Sequence, residues 1–417
     1  MNGSARRRDA MRSRFVAVAL SLGLACPACS SLASGGSHVP SPASTASSPA
    51  GTSAAATVGA GSVAAPRSCP AQVFARMTEA QRIGQLFLVG FEGDPVSEVA
   101  RTEAAYHFGS WLFTANGTAG VAGIGQVTRA IQGLASSRAT GKVRFLVAAN
   151  QEGGEVQALR GPGFQAMPSA LVQGRLPAAT LQRRAETWGR ELRAAGVNLD
   201  LAPVMDVVAP GTASQNQPIG ALQREFGDNP DTVATHGVAF VRGMREAGIA
   251  TAVKHFPGLG RVRGNTDFTA GVVDTVTGPD DRYLRSYRAA VDAGVPFVMV
   301  ALATYTRIDP RHLAVFSSRV MRVLLRQQLR FTGVIVSDDL GAAAAVAGIS
   351  PAARAIGFLA AGGDLITSQS LAAATAMDVA VMRRAAANSA FRTAVNSAVM
   401  RVLDAKQAYG LLPCSRR

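Results

Sequence analysis

The chain has 417 residues, 48% of them hydrophobic, enough for one large domain or two average ones. Of its 42 basic residues only Lys142, Lys254 and Lys406 are lysines, and the arginines behind the formal charge of +15 are scattered, with no basic stripe interleaved with aromatics. That distribution argues against nucleic-acid binding, and it makes Lys254 stand out within KHFPGLGRVRGNTD (254–267), because a site needing only positive charge would carry arginine in this chain.

Residues 1–29 read as a targeting segment. Arg6, Arg7, Arg8, Arg12 and Arg14 form a positive n-region, and Phe15–Ala25 is an apolar run too short to span a bilayer as a helix. Leu22-Gly23-Leu24-Ala25-Cys26 resembles a bacterial lipobox with its leucine one place early, so Cys26 is the candidate lipidated residue. The expected location is the outer face of the cell membrane, with a lipid anchor as the sole membrane contact. An ordinary cleaved secretory signal is the alternative, Cys29 is a poorer lipidation candidate, and Met11 offers a second start. Residues 30–66 are almost all Ser, Ala, Gly, Pro, Thr and Val, which cannot bury a core and read as a flexible tether.

Cys69 and Cys414 bracket the remaining chain, residues 67–417, as one domain. In an oxidising compartment such a pair suggests a disulfide joining the ends; two free thiols are the alternative. No Cys or His cluster has metal-ligand spacing, and no metal or cofactor is expected. Between these cysteines the apolar runs 86–91, 110–114, 145–150, 198–203, 251–257, 297–303, 333–340 and 364–367 alternate with helical patterns. Their continuous rather than alternating apolarity is that of parallel strands buried on both faces. One helix, 181–196, sets Leu181, Ala185, Trp188, Leu192 and Ala195 on one face and ends at Gly196. A second lies at 318–329, with Val320, Leu324 and Leu325 facing inward. Eight strands with helices between them predict an α/β fold, a (β/α)8 TIM-type barrel. The rival, an open doubly wound sheet, lacks a strand–GxGxxG–helix fingerprint here.

A barrel concentrates chemistry at the C-terminal ends of its strands, and there the unusual polar residues fall: Asn150, Asp206, Lys254-His255 and Asp338-Asp339. Consecutive strand residues point to opposite sides, so one aspartate of the last pair faces the mouth and the other suits a helix cap. Taken singly, each of these motifs could equally be a plain turn, a cap or a core histidine.

Together and in order they resemble glycoside hydrolase family 3, in particular its bacterial β-N-acetylglucosaminidases. The resemblance covers residues 72–410 and rests on QRIGQLFLVGF (81–91), NQEGGEVQALRGPGF (150–164), ELRAAGVNLDLAPVMDV (191–207), REFGDNP (224–230), KHFPGLG (254–260) and FTGVIVSDDL (331–340). It implies a retaining exo-glycosidase acting on terminal β-linked N-acetylglucosamine of cell-wall fragments, working as a monomer. Asp338 is then the nucleophile that forms a covalent glycosyl-enzyme. Asn150, Arg224, Lys254 and His255 contact the sugar, Asp206 is a supporting residue, and Asp339 is the cap.

The departures from the family pattern fall in two regions. Asn150 stands where an aspartate is usual, and Ala158 where an arginine is frequent. In the loop after Lys254-His255 the family carries a histidine in P-G-H-G and an Asp-x-His acid/base dyad; these positions hold Leu259, Asn265 and Asp267. Asp267 is therefore the candidate acid/base, in a two-carboxylate arrangement with Asp338 that in retaining enzymes spans ~5–5.5 Å. Asn265 is expected to hydrogen-bond it in place of the dyad's aspartate. A barrel that binds wall sugars without turnover and a β-glucosidase-like specificity are the alternatives.

Overall fold

The computed structural model describes residues 68–114 and 117–414. The leader, the tether, Cys26 and Cys29 lie outside the described residues.

Eight parallel strands form one sheet: β1 (Phe87–Gly90), β2 (Ser110–Phe113), β3 (Leu146–Ala149), β4 (Leu199–Asp200), β5 (Ala250–Phe256), β6 (Phe297–Val300), β7 (Val334–Ser337) and β8 (Ile366–Ser368). Each pairs with its neighbour in sequence, and β8 returns to β1 through Phe87 opposite Ile366. The last gap is bridged by Val336 opposite Leu365, with Ser337 N donating to Leu365 O at 2.9 Å. The result is the expected (β/α)8 barrel. Every residue of these strands is buried, which is why their sequences run apolar without alternating.

The outer helices follow their apolar spacing. The helix Ala178–Ala194 buries Leu181, Ala185, Trp188 and Leu192, and Trp188 meets Phe240 of Pro230–Glu246 with ring centroids 6.4 Å apart. Gly196, at φ +76°, ends the first of these where a side chain would be strained. The helix 319–328 differs in kind from the plain α-helix its spacing suggests, because it runs with i→i+5 hydrogen bonds.

Strand β4 is much shorter than its apolar run of 198–203, and beyond Pro203, which has no N–H to donate, pairing resumes as a single bridge of Val204 with Lys254. Two small sheets without apolar periodicity follow the C-terminal ends of β3, β5 and β6. One is the hairpin of Gln151–Gly153 with Val156–Gln157; the other joins Val273–Asp274, Thr304–Tyr305 and Asp309–Leu313.

At the opposite end the fully buried Lys406 donates to Gln85 Oε1 at 2.6 Å, Gly109 O at 2.7 Å and Arg144 O at 3.2 Å. These acceptors precede β1, β2 and β3, so one ammonium ties the N-terminal ends of three strands to the last helix, Ser389–Ala408. A disulfide joins Cys69 to Cys414 across 345 residues of sequence.

Candidate active site

The C-terminal ends of the strands surround one cavity, whose lining includes Asn150, Glu152, Arg224, Lys254, His255, Asn265, Asp267, Phe268 and Asp338. The pairing of β5 with β6 slips between Val253 and Phe256. A slip of this kind re-aims side chains, and both Lys254 and His255 line the cavity although they are consecutive.

Glu152 organises the floor. Arg224 grips it with two nitrogens, Nε to Oε2 and a terminal nitrogen to Oε1, both at 2.8 Å, and Lys254 Nζ lies 2.6 Å from Oε1. Burial alone would push this carboxyl up; the two cations override it and hold it at about 2. Lys254 Nζ also donates to Asn150 Oδ1 at 2.8 Å. One acceptor site of the Asn150 amide oxygen is thereby used, and its NH2 can donate to a ligand. Beneath them Asp200 is fully buried, and burial raises its carboxyl well above the ordinary range despite the nearby Lys254. Its Oδ1 accepts from Gln151 N at 2.9 Å, fixing the start of the NQEGG turn.

Asp206, fully buried, holds His255 from behind. Its Oδ2 lies 2.8 Å from His255 Nδ1, and its Oδ1 accepts from His255 N, Leu259 N and Tyr287 Oη at 3.2, 2.9 and 2.7 Å. Burial raises this carboxyl, but His255 and these donors outweigh it, so Asp206 stays ionised. A carboxylate on Nδ1 leaves Nε2 as the free nitrogen of the imidazole.

The two aspartates after β7 divide their work. Asp339 is buried, and its carboxylate accepts from Gly341 N and Gln369 N at 2.8 Å and Ala342 N at 3.1 Å, which makes it the cap of the following turn. Asp338 lines the cavity, its Oδ1 accepting from Asp339 N at 2.9 Å. Burial pushes its carboxyl up, His255 draws it down, and the charge of Asp267 pushes it up again.

Asp267 is exposed at the cavity edge, but its backbone is fixed. Its N–H donates to Asn265 Oδ1 at 3.0 Å, and the carbonyls of Thr266 and Asp267 accept from Ala345 and Ala344, both at 3.1 Å. The loop after β5 is thus clamped to the segment after β7. Further back, Asn216 Nδ2 donates to Leu259 O and Val262 O at 2.8 and 2.6 Å, and Tyr305 Oη to Gly258 O at 2.8 Å. Leu259 is buried.

The structure therefore brings Asn150, Arg224, Lys254, His255, Asn265, Asp267 and Asp338 to one cavity, with Asp206 behind it. One of these residues has a different contact from that expected: Asn265 engages the backbone of Asp267 rather than its carboxylate. Arg224 lines the cavity while also donating to Glu152 and to Pro218 O at 2.8 Å. Glu152 is not among the residues expected from the sequence, although it stands within NQEGG; a carboxylate between glutamine and glycine in a buried turn is the signal it offers. Among the described residues no cluster of His, Cys, Asp and Glu could hold a metal ion.

Comparison with known proteins gives a consistent picture. Residues 78–405 match the glycosyl hydrolase family 3 N-terminal domain. A beta-hexosaminidase of Xanthomonas oryzae pv. oryzae is 33% identical over 285 residues, covering 64% of this chain and 81% of that protein. The structure of a beta-N-acetylhexosaminidase from Beutenbergia cavernae matches with a TM-score of 0.78 and 48% identity, over 79% of this chain and 99% of that one. A family 3 beta-N-acetylglucosaminidase from Paenibacillus sp. matches at 28% identity with a TM-score of 0.71, over 82% of this chain and 64% of that one.

Proposed function

Because the chain belongs to glycosyl hydrolase family 3 and is a glycoside hydrolase, we propose that it is a retaining exo-β-N-acetylhexosaminidase acting on terminal β-linked N-acetylglucosamine of cell-wall fragments. The observation that carries this is the meeting of Asp338 and Asp267 at one cavity whose floor offers Asn150, Lys254 and His255 to a sugar. A carboxylate of Asp338 attacks the anomeric carbon while the glycosidic C–O bond breaks, and Asp267 in its acid form gives its proton to the departing oxygen. In the second half Asp267, now a carboxylate, takes a proton from water. That water attacks the same carbon, the Asp338 ester breaks, and the sugar leaves with its configuration retained. His255, oriented by Asp206, supports the charge on Asp338 and faces the same cavity.

That His255 is held on Nδ1 by a buried carboxylate favours a second assignment within the same reaction, in which its Nε2 delivers the proton. The two differ in which substitution abolishes leaving-group assistance. On the same reading the enzyme works outside the cytoplasm as a monomer, anchored through Cys26. The disulfide between Cys69 and Cys414 supports an oxidising location, and loss of lipid labelling in Cys26→Ser tests the anchor.

The test of the function is turnover of 4-nitrophenyl β-N-acetylglucosaminide beside the corresponding β-glucoside. The expected result is preference for the acetamido sugar, with loss of turnover by orders of magnitude in Asp338→Ala. Binding of N-acetylglucosamine without turnover of either glycoside would instead make the barrel a sugar-binding protein.

A further inference from the structure

Phe268 is the most exposed of the large hydrophobic side chains among the described residues, at 76%. Exposure alone singles out nothing, since apolar atoms are common on protein surfaces. Val273 and Val276 further along the segment are also exposed and line no part of the cavity. Phe268 differs in two respects.

The first is place: it lines the same cavity as Asp338 and directly follows Asp267. The second is rigidity. Phe268 N donates to Asn265 O at 3.0 Å, Asp267 N to the Asn265 side chain at 3.0 Å, and the two preceding carbonyls are tied to Ala344 and Ala345 at 3.1 Å. The backbone of Phe268 is therefore fixed beside the cavity, and its exposed phenyl ring has no ring partner among the described residues. The group that protonates a departing oxygen stands beside the leaving group, and so does its neighbour in a tight turn.

We propose that Phe268 is the platform on which the leaving-group sugar packs, making it a specificity-determining residue that favours a saccharide aglycone over a small alcohol. The proposal rests on the glycosidase reading above, with Asp267 as the acid. A pyranose presents an apolar face of C–H groups and keeps its hydroxyls at the rim. Covering an exposed aromatic with that face removes apolar surface from water while the hydroxyls stay solvated. In this role Phe268 takes no part in the chemistry. Its effect belongs to the step in which the aglycone is present, and again when a sugar rather than water resolves the glycosyl-enzyme.

The test compares N,N′-diacetylchitobiose with methyl β-N-acetylglucosaminide in the wild type, Phe268→Ala and Phe268→Trp. The disaccharide-to-methyl ratio of kcat/KM is expected to fall about tenfold in Phe268→Ala and to survive in Phe268→Trp. Partition of the glycosyl-enzyme toward an added sugar acceptor should fall in parallel. An unaltered ratio and unaltered partition in Phe268→Ala, with the wild type active, would overturn the platform alone. A wild type that turns over neither glycoside would overturn the glycosidase reading and the platform with it.

Discussion

Lys254 faces two oxygens, one from the Asn150 amide and one from the Glu152 carboxylate, and Arg224 shares the second. This explains why a lysine persists in an arginine-rich chain: a compact ammonium can meet both acceptors on a crowded floor while the planar guanidinium takes the bidentate position. The sequence motifs point to Lys254, Asn150, His255 and Asp338 but hide what each touches, because Arg224 and Glu152 lie 72 residues apart. The charge of Asp267 is one of the forces that raise the Asp338 carboxyl, after burial itself. The nucleophile must be ionised, so the acidic limb of kcat/KM against pH is expected above the ordinary carboxylate range. Replacing Asp267 by Asn should slow alkyl glycosides far more than 4-nitrophenyl glycosides, since only poor leaving groups need strong protonation. A pH series on the wild type locates the acidic limb, and the variant's rates on both substrates measure the lost protonation. If instead His255→Asn alone loses leaving-group assistance, the proton comes from the imidazole.

Among the elements, the loop after β5 and the segment after β7 are the pair whose relation matters, since each carries one of the two aspartates. They are joined by the backbone bonds from Ala344 to Asp267 and from Ala345 to Thr266. Ala344 opens a short 3-10 turn after Ala343, which is extended at φ −62°, ψ 136°, a conformation that accepts a following proline. Ala344→Pro therefore removes one donor to the Asp267 carbonyl without straining the chain. Turnover of alkyl glycosides should fall about five- to tenfold, as expected for one net hydrogen bond, while the circular-dichroism melt stays close to wild type. The barrel strands were legible because a short, continuous apolar run bounded by turn residues is what a strand buried on both faces requires. The clamp was not, and nor were the small sheets, because strands such as Thr304–Tyr305 have only two residues and no period. Backbone-to-backbone bonds between loops carry no side-chain signature.

For the whole molecule, closure is secured at both ends of the chain. The Lys406 ammonium joins the last helix to three strands, and burial pushes its pKa down to about 7. The disulfide from Cys69 to Cys414 encloses nearly all of the described fold. Replacing both cysteines by serine, or reducing the bond, should cost about 2–5 kcal/mol of stability, read as a lower urea midpoint; an unchanged midpoint would show that the bridge constrains little. The pairing was legible because only two cysteines remain after the leader, whereas the tie made by Lys406 was not, since its partners are an amide oxygen and two backbone carbonyls far away in sequence. The proposed reaction turns on one covalent bond. Incubation with an activated fluorosugar of N-acetylglucosamine, followed by peptide mass spectrometry, should find a single glycosyl adduct on Asp338, absent in Asp338→Ala. An adduct on any other residue, or turnover of the aryl glycoside with no adduct at all, would contradict it.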